Sequence, residues 1–362
     1  LLRELSADLL YCPFTDPTYY EPGIPTVSTL YDLQYKTYPQ FFASADVQHR
    51  DDAFRRAVEK STMIAAISDY ARNSAIRYAN IDSKKLRTIY IRLAQRVKEP
   101  ASEAMLLPWG LLPRGYVIYP ANFWQHKNHE VLLTALALAR QRGLPPNVKL
   151  VLTGSPGERC DWLKMAAHRM GLGDTVIFPG YVSTAELGAL ISYSLGVVFP
   201  SLYEGFGMPV IEAMAMGVPV ACSNLTSLPE VAGEAAIQFD PRIPADVADA
   251  LVMLATDAPL RERLIVEGRK RAVAFEDHLL MVREYMSLFE EALEMDAPRN
   301  QVVGRYIDGW LGPKLWIQTE KGGRNRVLEL DFSAEGWMLS LKLTGCRLNA
   351  GDTSLNLLDA TS

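Results

Sequence analysis

From Tyr116 to about Phe275 the chain alternates short apolar runs with stretches of helical periodicity, and this alternation leaves few folds open. The runs Tyr116–Tyr119, Val148–Thr153, Thr175–Phe178, Leu195–Phe199, Val218–Cys222 and Ala236–Phe239 read as strands buried on both faces. Apolar residues at helical spacing fill the gaps. Leu132, Leu133, Leu136 and Ala139 mark the first helix, and Ser183-Thr-Ala-Glu186 is a capping box that opens another. Strands and helices in turn, with short connections, predict a doubly wound parallel sheet, which takes ligands outside the C-terminal ends of its strands.

The flanking segments differ in texture. Residues 1–112 also read as α/β, less regularly. Pro25–Leu30, Met63–Ser68 and Arg87–Ile91 are candidate strands, with one or two helices over Asp51–Tyr78. The first residues follow a helix-like pattern. The stretches Lys98–Glu103 and Leu112–Gly115 read as an interdomain linker. Glu276–Met295 is one long helical pattern. Beyond Pro298, Leu328, Leu330 and Phe332 alternate with polar residues, as do Leu339, Leu341 and Leu343. Gly322-Gly323 and Asn349–Asp352 are turn signals, so a small β module is expected there, part of a sandwich. Its Trp310, Trp316 and Trp337 suit core packing better than sugar stacking. The expected division is residues 1–112, 113–275, a crossover helix over 276–297, and a β module over 298–362. Both ends read as cut within larger elements.

Length and composition narrow the class. A chain of 362 residues with 49% hydrophobic residues can bury a sizeable core in two or three domains. A formal charge of −5 gives no reason to expect a nucleic-acid partner. The basic cluster Lys84-Lys85-Leu-Arg87 reads as a solvated face, with peripheral membrane contact as the minority reading. Cys12, Cys160, Cys222 and Cys346 lie far apart, so neither a zinc site nor a disulfide framework is suggested, and a reducing, cytoplasmic compartment is expected. No apolar run approaches the roughly 18 residues of a membrane span, and no signal peptide is visible.

The chemistry concentrates in Glu204-Gly-Phe-Gly-Met-Pro-Val-Ile-Glu212. It follows the buried strand ending at Phe199-Pro200. Pro209 suits the first turn of a helix, where its missing N–H costs nothing. Ile211, Met214 and Ala215 give that helix an apolar face, and Gly217 can end it. A strand, a glycine-rich loop and a helix start place free N–H groups and a positive dipole end where an anion can sit. Two solvated glutamates on an ordinary loop would not explain the paired glycines beside the apolar Phe206.

The wider run Phe199–Val220 resembles the paired-glutamate motif of retaining, nucleotide-sugar-dependent glycosyltransferases of family 4, group 1. The resemblance implies the GT-B fold: two Rossmann-like domains facing a cleft, with the first one incomplete here, because the usual opening strand and glycine-rich loop are missing. It also implies that the helix at 276–297 crosses back onto the first domain. The same resemblance assigns residue roles. Lys127 neutralises the donor diphosphate. Asn122 stands where relatives often have an arginine. Glu212 grips the ribose, Glu204 faces the sugar near the reacting carbon, and the backbone of Gly205, Phe206, Gly207 and Met208 holds sugar hydroxyls and phosphate. Tyr181 and Val182 offer backbone to the base. Tyr31 replaces a histidine that relatives commonly place before Asp32, and tyrosine is a poor base at neutral pH. From the residues themselves, Gly154 permits close backbone approach to a ligand. The more ordinary readings are a solvated lysine at 127, a plain turn at 154 and strand-end packing at 31 and 32.

The expected reaction moves a sugar from a nucleoside diphosphate to a hydroxyl of a glycan or lipid-linked acceptor, in cell-surface polysaccharide assembly. No cofactor and no metal are expected, since His126 and His129 lack a third ligand at metal spacing. A glycoside hydrolase would need neither Lys127 nor a phosphate cradle. A GT-B epimerase or phosphorylase, and a degenerate carbohydrate-binding or scaffold protein, stay open as alternatives.

Overall fold

The computed structural model describes residues 2, 5–93 and 102–296, together with the strands 302–307, 314–321, 324–331 and 340–343. Three sheets organise them. The first is four-stranded and parallel, in the order β1 (Leu10–Cys12), β2 (Thr26–Leu30), β3 (Met63–Ala66), β4 (Leu86–Thr88). Strands β2 and β3 are buried along their whole length, as expected of parallel strands covered on both faces. The single turn α1 (Gln34–Thr37), the helix α2 (Ser44–Lys60) and the helix α3 (Asp69–Ala79) belong to this unit. Phe54, Ala57 and Ala75 pack with Leu30, Ile64 and Leu86 on one side of the sheet.

The sequence reading locates β2 and β3 and misses β1, a strand of 3 residues with a single fully buried position. The stretch around Leu5 and Ser6 is turn rather than helix.

The second sheet has six parallel strands in the order β10-β9-β8-β5-β6-β7. They are β5 (Tyr116–Pro120), β6 (Lys149–Thr153), β7 (Val176–Gly180), β8 (Gly196–Phe199), β9 (Val220–Ser223) and β10 (Ile237–Phe239). All fall on the expected runs. The helices between them are α4 (His129–Gln141), α5 (Glu158–Arg169), α6 (Thr184–Ser192), α7 (Met208–Ala215), α8 (Leu228–Ala232), α9 (Pro244–Thr256) and α10 (Ala258–Val273). The capping box forms at the start of α6: Ser183 Oγ accepts from Glu186 N, and the Glu186 carboxylate accepts from Ser183 N. Gly217 follows α7 in the left-handed region at φ +70°, the conformation that ends a helix most cheaply. The strand order reverses between β5 and β8, which pair directly through Val117↔Gly196 and Ile118↔Val197. That switch point is where a doubly wound sheet opens a crevice.

The linker region carries a short 3-10 helix, Glu103–Trp109, while residues 94–101 lie outside the described ones. The last helix, α11 (His278–Asp296), returns to the first sheet. Its Leu288, Phe289 and Ala292 pack with Val27, Met63, Ala65 and Ile89. Each large side chain so buried contributes roughly 1.5–3 kcal/mol. Buried Arg92 fixes the return, pairing with Glu284 at 3.1 Å and donating to the Asp277 carbonyl at 3.3 Å. Among the described residues beyond α11, β11 (Val302–Ile307), β12 (Lys314–Lys321), β13 (Arg324–Asp331) and β14 (Ser340–Leu343) form one antiparallel sheet, with Leu328↔Leu343 and Leu330↔Leu341 in register. Trp310, Trp337 and Cys346 lie outside the described residues.

Candidate active site

The crevice at the β5–β8 switch point is built from the loops after both strands. Beyond β5, Lys127 closes a short 3-10 turn, and Asn128 takes the left-handed conformation at φ +56° before starting α4. Asn128 suits that position, because its short polar side chain bonds locally: Nδ2 donates to the carbonyls of Pro200 (3.2 Å) and Pro241 (2.9 Å). Buried Tyr119 donates its hydroxyl to the Lys127 carbonyl and meets Ser201 Oγ, both at 2.9 Å. These bonds tie the lysine loop to the end of β8. Lys127 Nζ then reaches across the switch point to Glu204 Oε1 at 2.6 Å, and stands 5.4 Å from the Phe199 ring centroid. Both charged side chains are nearly buried, at 15% and 12% exposed, so this is no ordinary surface pair.

The glutamate loop is held by its backbone. Glu204 N donates to Thr226 Oγ1 at 3.1 Å, and Ser227 Oγ donates to the carbonyls of Glu204 and Phe206, each at 2.9 Å. Gly207 sits at φ +110°, where a Cβ would also stand 2.5 Å from Leu228 Cδ2. The amides of Gly205, Phe206 and Gly207 make no hydrogen bond among the described residues, and α7 starts just after them. They form the open donors of a helix entrance, suited to an anion. Glu212 lies one turn further along α7, partly buried.

The first domain closes this loop from the other side. A Cβ on Gly205 would stand 2.3 Å from the Tyr31 carbonyl oxygen and 3.1 Å from Asp32 Cβ. Asp32 is thereby brought to the Lys127–Glu204 pair. Its Oδ1 accepts from Gln34 N at 3.0 Å. Removal from water raises the Asp32 pKa above the usual carboxylate range; the nearby Glu204 adds to this, and the Gln34 amide opposes it. Asp32 also lines a first-domain cavity of about 270 Å³, together with Thr15, His49 and Arg50. The Tyr31 hydroxyl donates to the Pro13 carbonyl at 2.9 Å, so the phenol serves the loop after β1 while its backbone faces Gly205.

The remaining candidates follow the C-terminal ends of β5, β6 and β7. Asn122 Oδ1 accepts from Ser155 N at 3.0 Å, joining the loops after β5 and β6. Gly154 N donates to the Gly180 carbonyl at 3.2 Å. A Cβ at Gly154 would meet the Ala121 carbonyl at 2.9 Å and Phe123 Cε2 at 3.0 Å, so the close approach this glycine permits is to the protein's own chain. Tyr181 is 81% exposed just after β7, with Val182 beside it in sequence. His126 and His129 are both buried. Burial holds their pKa values down at about 4 and about 3, and the His129 ring lies tilted against those of Tyr119 and Phe123. No group of three or more His, Cys, Asp or Glu side chains that could hold a metal occurs among the described residues.

Sequence alone did not single out Tyr119, Ser201 or Thr226, which anchor the lysine and glutamate loops. Tyr119 had a signal, being a polar tip on an otherwise apolar strand. Thr226 immediately precedes the Ser227–Val231 segment after β9, and the position of that segment at a strand end was the available clue.

Residues 112–271 match the family described as glycosyl transferases group 1. The O-antigen chain mannosyltransferase B of Escherichia coli is 30% identical over 257 residues, which cover 69% of this chain and 66% of that protein. The serotype-specific mannosyltransferase WbdA of the same organism is 29% identical over 255 residues, 68% of this chain but 31% of its own length. The chain thus spans just under two thirds of the first relative and under a third of the second. Among solved structures, Anabaena Alr3699/HepE in complex with UDP and glucose superposes with a TM-score of 0.63 at 18% identity, covering 74% of this chain and 72% of that one. This likeness shows the fold, which is GT-B. No helix among the described residues is long and apolar enough to cross a membrane.

Proposed function

With residues 112–271 a group 1 glycosyl transferases domain, we propose that the chain is a retaining glycosyltransferase. It moves a hexosyl group from a nucleoside diphosphate sugar to a hydroxyl of a glycan or lipid-linked acceptor, in cell-surface polysaccharide assembly. Mannose is the first sugar to test, because both E. coli relatives are named mannosyltransferases. UDP- and GDP-linked donors are both to be tried.

The observation that carries this reading is the near-buried Lys127–Glu204 pair across the switch point, beside open loop amides and facing Asp32. Without donor, Glu204 holds the lysine. A diphosphate is a stronger anion and takes Nζ over, leaving Glu204 beside the sugar. The bond from the anomeric carbon to phosphate then breaks, and Lys127 and the loop amides balance the charge that builds on the leaving oxygen. The acceptor oxygen bonds to the anomeric carbon on the same face, and its proton passes to the departing phosphate. Asp32, with its raised pKa, positions the acceptor hydroxyl, and the neutral Tyr31 phenol is not asked to act as a base. Glu212 holds the ribose, and Asn122, Gly154, Tyr181 and Val182 border the base. Rate enhancement rests on positioning and fixed charge, and no divalent metal takes part.

A thermal-shift panel of UDP- and GDP-hexoses tests this. A donor at 100 times its dissociation constant stabilises by roughly 2.7 kcal/mol. A panel without any shift, and without nucleotide release on adding glycan acceptors, would leave a carbohydrate-binding role instead.

A further inference from the structure

The N-terminus of α3 lies in the first domain, yet two of its free amides are capped from the second. Ser68 is the N-cap residue, and its Oγ accepts from Ala71 N at 3.0 Å. The amides of Asp69 and Tyr70 have no partner within a helix of this geometry. They donate instead to Glu230 Oε1 at 2.6 Å and Oε2 at 2.9 Å. Glu230 belongs to α8, and Arg271 from α10 fixes that backbone by donating to the carbonyls of Glu230 (2.6 Å) and Val231 (2.8 Å). The Asp69 carboxylate accepts from the hydroxyls of Thr88 (2.5 Å) and Tyr90 (3.1 Å). The carboxylate that meets the helix amides is therefore the one from the facing domain, where the dipole favours it.

The same junction touches the glutamate loop. Ser68 Oγ donates to the Gly205 carbonyl at 2.6 Å. The carbonyls on either side, of Glu204 and Phe206, are held by Ser227 from within the second domain. Among the described residues, Gly205 O is held only from across the cleft. A further bond between the domains runs from Leu33 N to the Tyr203 hydroxyl at 3.3 Å, just before Glu204.

We propose that Ser68 and Glu230 are positioning residues that complete the glutamate loop only when the two domains are closed. Segment 226–230 holds the loop through Thr226 and Ser227 and grips α3 through Glu230, so one short stretch registers both the loop and the facing domain. Opening the cleft uncaps Asp69 and Tyr70 and releases the carbonyl next to Glu204. The proposal rests on the transferase reading only for its effect on turnover; the clamp itself is a matter of geometry.

Hydrogen exchange read at single amides of the full chain tests the clamp without any ligand. The amides of Asp69 and Tyr70 are expected to be protected, and Glu230→Ala to speed their exchange at least 10-fold. Ala71, capped within its own domain, is the control and keeps its rate. Glu230→Gln, which preserves shape, shifts the same two amides in the same direction should the alanine variant fold poorly. Exchange at unprotected rates in the wild type, or rates unchanged in both variants, overturns the clamp. For the positioning role, Glu230→Gln and Ser68→Ala are expected to lower kcat about 10-fold with GDP-mannose or UDP-glucose as probe donor. UDP affinity by calorimetry stays within twofold, since neither residue belongs to the nucleotide crevice. A kcat unchanged in both variants overturns the positioning role. A wild type inactive with both donors counts against the transferase reading, while the exchange result still decides the clamp.

Discussion

Adding one methyl group at Gly205 should disable the site more than its size suggests. An alanine Cβ there would stand 2.3 Å from the Tyr31 carbonyl oxygen. Ordinary contact needs roughly 3.4 Å, so something must move by about 1 Å. The carbonyl follows directly on the fully buried strand β2 and cannot easily yield. The loop or the whole second domain must retreat instead. That retreat stretches the 2.6 Å bond from Ser68 to Gly205 O and the 3.3 Å bond from Leu33 N to Tyr203 beyond useful range. Each bond is worth about 1 kcal/mol net. The larger effect is on geometry, because a misplacement of about 1 Å at reacting groups can cost around 10²-fold in rate. Gly205→Ala is therefore expected to lower kcat by about 10²-fold. Initial rates at saturating donor measure this, with circular dichroism and thermal unfolding showing that the fold remains intact. A kcat within threefold of wild type would refute the reasoning, since the close approach would then not belong to the reactive state.

The two glutamates should give different kinetic signatures. Glu204→Gln is expected mainly to lower kcat, because its backbone stays anchored by Thr226 and Ser227 while the charge beside the sugar is lost. Glu212→Gln is expected mainly to raise the donor KM, as loss of uniform binding does; the same modest KM rise in both would remove them from the chemistry. Treatment with EDTA is expected to leave turnover unchanged, and loss restored by Mn²⁺ would contradict the metal-free reading. Acid should destabilise the fold through His126 and His129, whose pKa values are lowered to about 4 and about 3. Both rings stay neutral in the fold while the unfolded chain takes up protons near pH 6.5, so this stability is present above pH 6.5. It falls by about 1.4 kcal/mol per pH unit per histidine as pH drops toward those values. Urea titrations between pH 7.5 and 5 check the slope, which His129→Leu should roughly halve.

The second domain was legible because its strands are unambiguous. A run such as Gly196–Phe199, buried at every position and bounded by Leu195 and Pro200, can hardly be anything but a central parallel strand. The glutamate motif was legible for a related reason, since glycines and a proline at a strand end carry local conformational meaning. The first domain was harder. Strand β1 has 3 residues, too short for any period to show, and β4 (Leu86–Thr88) overlaps the expected run Arg87–Ile91 only at its start. Gly154 illustrates a second limit: the need for glycine was readable, but its cause, the packing of residues 121–123 against it, depends on the neighbouring loop. The Ser68–Gly205 and Glu230–α3 contacts join residues far apart in sequence, and no local pattern announces which serine caps a helix alone and which also reaches another domain. Tyr31 reads as a substitute for a histidine, yet its hydroxyl is bonded to Pro13, a partner that only the fold supplies.

Lys127 and Glu204 together are proposed as the charge machinery of glycosyl transfer. The most direct test is nucleoside diphosphate release from a panel of UDP- and GDP-hexoses with glycan acceptors, comparing the wild type with Lys127→Ala. Acceptor-dependent release is expected from the wild type, and a loss of about 10²-fold or more in the variant, the scale of a missing preorganised electrostatic contact. Release that falls less than threefold in Lys127→Ala would contradict that role.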